Sequence, residues 1–316
     1  MEKTNQAVPT CEGLVFISSD PDNLAKFMAG YERTATVEAE YGDRLIEGTI
    51  LSLAHHGSRS DNPAPCNAVV EVNGVEAIGI SHIDLDTVGG IAAILGVKPE
   101  APSFWKLAEF VDVNGVHKLS ESGASNADLS SLYGWYAWSA KNRYFPPRDG
   151  SILDATEFAK GAIKIISSIL DGDEALLAAG DAFEKANAEL NKESFVTNLS
   201  GVIVRAGAGF VNHLYVDPTK KVGYAVVGFN TVTGACTVSF ADAADGQSAI
   251  KAVQEVFLDK DEQGNLLAGG HKGIAGSPRG RRASWEEWTQ LVSVVEKQAP
   301  RMTIEQLSEL LGGPPL

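Results

Sequence analysis

The run Val75-Glu-Ala-Ile-Gly-Ile80 limits the folds open to this chain more than any other segment. It is an apolar stretch of strand length, and residues 91–97 behind it read as a helix. Compact apolar runs of this kind fit strands buried on both faces, as in α/β sheets; strands with one wet face alternate apolar and polar residues. The theme recurs along the first third of the chain. Residues 13–18 read as a strand, Ser19-Asp20-Pro21-Asp22 as a helix start, and 24–31 as the amphipathic helix that follows. Residues 35–41, 48–54 and 68–72 are further strand-like runs, with Gly42-Asp43 and Asn73-Gly74 as turn material.

The pattern then changes. Residues 129–190 become helical in composition, and 156–170 and 173–191 carry apolar residues at three- and four-residue spacing. A second β-rich block begins near residue 196, with runs at 201–205, 222–228 and 235–240, and helices are expected at 249–257, 285–297 and 304–311. There is no internal repeat and no low-complexity tract. The expected architecture is α/β in two domains, which suits 316 residues. A larger N-terminal domain, 1–128, has a mostly parallel sheet with flanking helices. A helical connector, 129–196, belongs to it, and a smaller C-terminal α/β domain covers 197–316.

Directly after Ile80 comes Ser81-His82-Ile83-Asp84-Leu85-Asp86-Thr87-Val88-Gly89-Gly90. Ligands of open α/β sheets bind outside the carboxyl ends of the strands. Along an extended segment His82, Asp84 and Asp86 project to one side, because alternate side chains share a face. One imidazole and two carboxylates suit Mn2+ or Mg2+ better than structural zinc. Gly89 and Gly90 would let the following helix approach closely. The same residues also make a capping loop with solvated aspartates, and so short a pattern does not separate the two readings.

Residues 82–95, His-Ile-Asp-Leu-Asp-Thr-Val-Gly-Gly-Ile-Ala-Ala-Ile-Leu, resemble the first motif of the DHH phosphoesterase superfamily. That group includes RecJ-type exonucleases, oligoribonucleases, cyclic-dinucleotide phosphodiesterases and family II inorganic pyrophosphatases. Its second hallmark, a glycine-rich GGGH segment in a C-terminal substrate-binding domain, is similar to Leu267-Ala-Gly269-Gly270-His271-Lys-Gly-Ile-Ala-Gly276, with Ala268 at the first glycine. The resemblance implies a metal-dependent phosphoesterase using Mn2+ or Mg2+, with two ions held by His82, Asp84, Asp86 and Asp112. It further implies that Gly269, Gly270 and His271 bind the substrate phosphate, which glycine backbone amides can approach closely. Arg279, Arg281 and Arg282 form the densest basic cluster of the chain, either for phosphate, with Arg279 and Arg282 as the candidates, or as a solvated face.

The sequence departs from the family at the namesake Asp-His-His triplet, which is absent downstream of the first motif. The paired histidines His55 and His56 lie upstream and would enter the site from the preceding strand. His117, five positions beyond Asp112, stands for one histidine of the triplet. His55, His56 and His117 are thus the candidate catalytic histidines, in a chain with only six (55, 56, 82, 117, 213 and 271). Asp149 or Asp154 could add a metal aspartate, although Asp154 equally suits a helix cap. His213 reads as a half-buried histidine and Cys66 as a small packed thiol. Tyr133, Trp135, Tyr136, Trp138 and Tyr144 read as helix packing more readily than as a base-stacking platform.

Charge and composition narrow the function. Asp and Glu number 41 against 26 Lys and Arg, a net charge of −15, which disfavours long nucleic acid as a partner; a small phosphorylated or nucleotide substrate is what the resemblance implies. No apolar run approaches the length of a membrane span, and no signal layout opens the chain. Three widely spaced cysteines, Cys11, Cys66 and Cys236, indicate neither a disulfide framework nor a zinc site, so a cytoplasmic protein is expected. GxSxG, GxxxxGK[ST] and GxGxxG signals are absent. The alternative to the enzyme is an inactive DHH-like protein that binds nucleotide or metal. The oligomeric state is open, a homodimer included.

Overall fold

The structure, a computed structural model, describes residues 13–299 apart from 40–45, 56–58, 60, 148, 210, 220, 242, 244–245, 261–263, 265, 271 and 279; of residue 117 it describes the backbone alone. Cys11 and the helix expected at 304–311 lie outside the described residues. The fold is α/β, and the chain divides into two compact units, Met1–Lys185 and Ala186–Leu316.

In the first unit, β1 (Leu14–Ile17), β2 (Thr34–Val37), β3 (Leu51–Leu53), β4 (Ala77–Ile80) and the short β5 (Leu153–Asp154) form one sheet in the order β3-β2-β4-β1-β5. Strands β1 to β4 run parallel, and β5 closes the edge antiparallel to β1. Every residue of β2 and β4 is buried, as a sheet covered on both faces requires. Val15, Ile17, Val37, Ile78 and Ile80 pack on one face with α2 (Leu85–Ile94), α3 (Pro102–Asn114), α4 (Asn126–Lys141) and α5 (Thr156–Leu170). Phe16 and Ala77 point to the other face, against Leu24 and Met28 of α1 (Pro21–Met28). Gly79 lies under α1: a Cβ there would come 3.0 Å from Leu24 Cδ2.

The register sets up the site. Val37 pairs with Ile80 and with Leu53, and Ile17 pairs with Ile80. The four parallel strands therefore end level, and the residues after them meet along one edge.

Two expectations change here. The helix behind β4 begins at Leu85 rather than near residue 91, because the Asp84 carboxylate accepts from the Thr87 amide at 2.8 Å and caps it. Residues 68–72 form no strand; the strand starts at Ala77. Asp112 follows the apolar pair Phe110-Val111, which is helical. It sits in the last turn of α3, whose buried face is Phe104, Trp105, Leu107, Ala108 and Val111, a helical spacing opened by Pro102.

In the second unit, β6 (Phe195–Leu199), β7 (Val202–Gly207), β8 (Ala225–Asn230), β9 (Cys236–Phe240), β10 (Gly269–Gly270) and β11 (Ile274–Gly276) order as β10-β11-β9-β8-β7-β6. Among these described strands, β7 and β8 pair in parallel and the other neighbours antiparallel. Val202, Val227 and Val238 form its core with Phe257 after α7 (Ala249–Val256) and with Trp288, Leu291 and Val295 of α8 (Trp285–Glu296). The division between the units falls within α6 (Glu174–Glu193). Arg205 on β7 is buried and donates to the carbonyls of Leu214 at 2.8 Å and Val216 at 2.5 Å and to Ser194 Oγ at 2.8 Å. It acts as a clamp on the loop that carries His213.

Candidate metal centre

Three loops that leave level strand ends supply the centre. Glu38 is the first residue beyond β2, His55 lies two residues beyond β3, and Asp86 stands in the first turn of α2 behind β4. All three are buried, at 1%, 7% and 3% exposure. One potential ligand atom from each falls within 4.8 Å of the others. His55 Nε2 lies 4.0 Å from Glu38 Oε1 and 3.8 Å from Asp86 Oδ2. A fourth group arrives from α3: Asp112 Oδ2 is 2.8 Å from His55 Nε2, and its side chain is partly exposed.

Asp86 is the most informative residue. Its Oδ1 accepts from the Cys66 amide at 2.8 Å, whereas Oδ2 is buried and accepts no hydrogen bond from any of the described residues. A buried carboxylate oxygen without a donor costs free energy unless a cation supplies the missing interaction. The residues present therefore fit a hard divalent cation: oxygen-rich, with one imidazole, as Mn2+ or Mg2+ prefers. Protons reflect the same crowding. Burial works against a charged His55, but Asp112, Asp86 and Glu38 together raise its pKa to about 8. Burial first, then Asp84 and Asp112, raises the Asp86 carboxyl to about 7.

His82 and Asp84 are placed differently from the three buried groups. Because α2 starts at Leu85, the alternation that would align His82, Asp84 and Asp86 ends at Asp84. His82 Nε2 is 3.2 Å from Asp84 Oδ2, and Nδ1 lies 2.8 Å from Ser81 Oγ. The two side chains keep 31% and 43% exposure, a half-exposed pair beside the buried cluster. Burial opposes the His82 imidazolium, yet Asp84 raises its pKa to about 9. Burial likewise opposes the Asp84 carboxylate, and His82 with the Thr87 amide holds it below the usual range.

Glu38 carries no motif signal, being one acid in a strand-like run. Its backbone takes φ +48°, a left-handed conformation uncommon for a glutamate. Strain of this kind concentrates at functional positions. The one clue in the sequence is a carboxylate directly after the apolar run Ala35-Thr-Val37.

Gly89 and Gly90 do serve close approach, but what approaches is the 3₁₀ turn Pro65–Asn67. A Cβ on Gly89 would lie 2.5 Å from Cys66 Cβ, and one on Gly90 would lie 2.8 Å from Pro65 Cβ. The Cys66 thiol is fully buried, and burial raises its pKa far above the thiolate range, so it is a packed residue and no nucleophile.

His56, His271 and Arg279 lie outside the described residues, as does the side chain of His117. Gly269 and Gly270 form the exposed strand β10; Gly270 has φ +145°, and a Cβ there would lie 2.4 Å from Ala275 Cα. Glycine at 270 is what permits this close pairing with β11, whereas a Cβ at 269 would meet nothing within 4 Å. Arg282 donates to the carbonyls of Val232 at 2.5 Å and Thr231 at 3.4 Å. Arg281 pairs with Glu287 at 2.5 Å and Asp259 at 3.3 Å. Asp149 accepts from the Ser151 amide and Asp154 from the Thr156 amide at the start of α5, as turn and helix caps do. Burial and then Arg205 lower the pKa of His213. Phe158 of α5 packs against Trp138 of α4 and against Tyr144, with ring centroids 5.7 Å and 4.7 Å apart.

No family model matches the chain, and no curated protein matches it. A solved structure of RecJ in complex with Mn2+ from Thermus thermophilus is similar to it at 14% sequence identity and a TM-score of 0.32, with 90% of this chain aligned to 47% of that one. The chain thus spans about half the length of that protein, 47% of it.

Proposed function

We propose that this protein is a divalent-cation-dependent phosphoesterase that hydrolyses a phosphodiester or phosphoanhydride bond in a small nucleotide or short oligonucleotide. The observation that carries this reading is the buried Glu38–His55–Asp86 cluster, whose Asp86 Oδ2 has no donor among the described residues, at the carboxyl edge of a parallel sheet. The reaction class comes from the chemistry of that donor set and from the resemblance of residues 82–95 to the DHH motif.

In this reading Glu38, His55 and Asp86 hold the cation, with Asp112 as a further carboxylate beside His55. Mn2+ or Mg2+ bound there supplies Lewis acidity and makes a water nucleophilic near neutral pH. His82, protonated up to pH about 9, keeps a positive charge where an anionic phosphoryl group can meet it. The Asp84 carboxylate orients that ring and caps α2. The Gly269-Gly270-His271 segment retains the phosphate-binding role that the resemblance implies, and the chain is assigned to the cytoplasm. Among the described residues no helix is long and apolar enough to cross a membrane.

The test is product release from pyrophosphate, cyclic dinucleotides, dinucleotides and bis-(p-nitrophenyl) phosphate with Mn2+, before and after chelation. Chelation should abolish turnover, and His55→Ala or Asp86→Asn should lower kcat by about 100-fold or more. Mn2+ binding without turnover on any of these substrates would identify a metal-binding protein instead.

A further inference from the structure

Asp86 is aimed from behind by a turn that has its own clamp. The amide that fixes Asp86 Oδ1 belongs to Cys66, in the middle of the Pro65–Asn67 turn. Glu109 on α3 grips that turn on both sides: Oε1 accepts from the Ala64 amide at 2.9 Å, and Oε2 accepts from Asn67 Nδ2 at 2.9 Å. The turn is pressed against α2 at Gly89 and Gly90, so a displacement of the turn would carry the Cys66 amide along the face of the helix that bears Asp86. The Glu109 carboxylate opposes that motion by holding residues on either side of Cys66. One turn further along the same helix, Asp112 meets His55. Helix α3 therefore reaches the cluster twice, directly through Asp112 and indirectly through Glu109.

We propose that Glu109 is a positioning residue for the metal centre, acting through the Ala64–Asn67 segment to hold the Asp86 carboxylate with Oδ2 turned toward His55 and Glu38. The proposal rests on the reading of this cluster as a cation site. Groups that orient metal ligands from behind typically change metal affinity by about 10- to 100-fold when removed. A partner that served stability alone would change the unfolding temperature and leave the affinity of the folded protein where it was.

The experiment uses the full chain. Mn2+ alone is titrated calorimetrically into the parent, Glu109→Ala, Glu109→Gln and Asp86→Asn. Thermal unfolding of each metal-free protein and NMR exchange of the Cys66 amide hydrogen are followed in parallel. Glu109→Ala is expected to weaken Mn2+ binding about 10- to 100-fold and to speed exchange of the Cys66 amide. Glu109→Gln keeps an acceptor for one of the two donors and should recover part of both properties. If Glu109→Ala binds Mn2+ as the parent does, with only its unfolding temperature lowered, the positioning role is overturned while the centre stands. Should Glu109→Ala not fold, parent-like affinity in Glu109→Gln overturns the role in the same way. If the parent binds no Mn2+, or Asp86→Asn binds it equally tightly, the reading of the centre falls and the positioning role with it.

Discussion

At the scale of single residues, the centre holds protons where a cation would sit. Asp86 takes its proton up to about pH 7 against an ordinary value of 3.8, and His55 up to about pH 8 against 6.5. The folded metal-free protein thus binds more protons here than the unfolded chain does. By linkage, the cluster's contribution to stability is greatest in acid and is lost as pH rises from about 4 to about 8. Asp86→Asn removes the buried charge while keeping an acceptor for the Cys66 amide. In metal-free protein the variant should gain on the parent as pH rises, by on the order of 1 kcal/mol or more at pH 8, and by much less at pH 5. Chemical denaturation at the two pH values measures this; a difference independent of pH would contradict the protonation scheme. The same variant should lose Mn2+ binding, the exchange of stability for function that active sites commonly show.

At the scale of elements, helix α2 performs three tasks at once. Asp84 caps it, Asp86 in its first turn faces the cluster, and Gly89 and Gly90 admit the turn that holds Asp86. A methyl group at position 89 would meet Cys66 Cβ at 2.5 Å and Trp105 Cζ3 at 2.8 Å, neither of which is the loose end of a flexible side chain. Gly89→Ala should therefore cost about 1–3 kcal/mol of stability and weaken Mn2+ binding as the turn is displaced. Gly161 in α5 is the control, because a Cβ there meets nothing within 4 Å. Gly161→Ala should stabilise the protein by up to about 1 kcal/mol, the ordinary gain of alanine over glycine inside a helix, and leave Mn2+ affinity unchanged. Urea denaturation and calorimetric titration of the two variants check both statements. Parent-like metal affinity in Gly89→Ala would detach the glycine pair from the site.

At the scale of the whole molecule, the buried donor cluster belongs to the first of two compact units. Mn2+ at 100 times its dissociation constant should add about 2.7 kcal/mol to the stability of whatever folds around it. Hydrogen exchange should show that protection in β2, β4 and α2; no added protection there would place the cation elsewhere. Much of this frame is legible in the chain. The apolar runs at 13–18 and 75–80 mark β1 and β4 because strands buried on both faces need unbroken apolar stretches. His82, Asp84 and Asp86 follow directly on the apolar run, and so mark the carboxyl edge of β4, where the buried donor cluster lies. Helix α3 is harder to read, since Phe110-Val111 ahead of Asp112 resembles the end of a strand when the helical spacing before it is overlooked. Glu38 is hidden too, because nothing local distinguishes a ligand from a solvated glutamate. Local chemistry is enough to say that strands form and where one of them ends. Which ends stand level is set by the parallel register of Leu53, Val37 and Ile80, and that register depends on packing between segments far apart in the chain. The partners of Asp86 follow from it: Glu38 and His55 come from just beyond neighbouring strands, and Asp112 from helix α3, which packs beside α2.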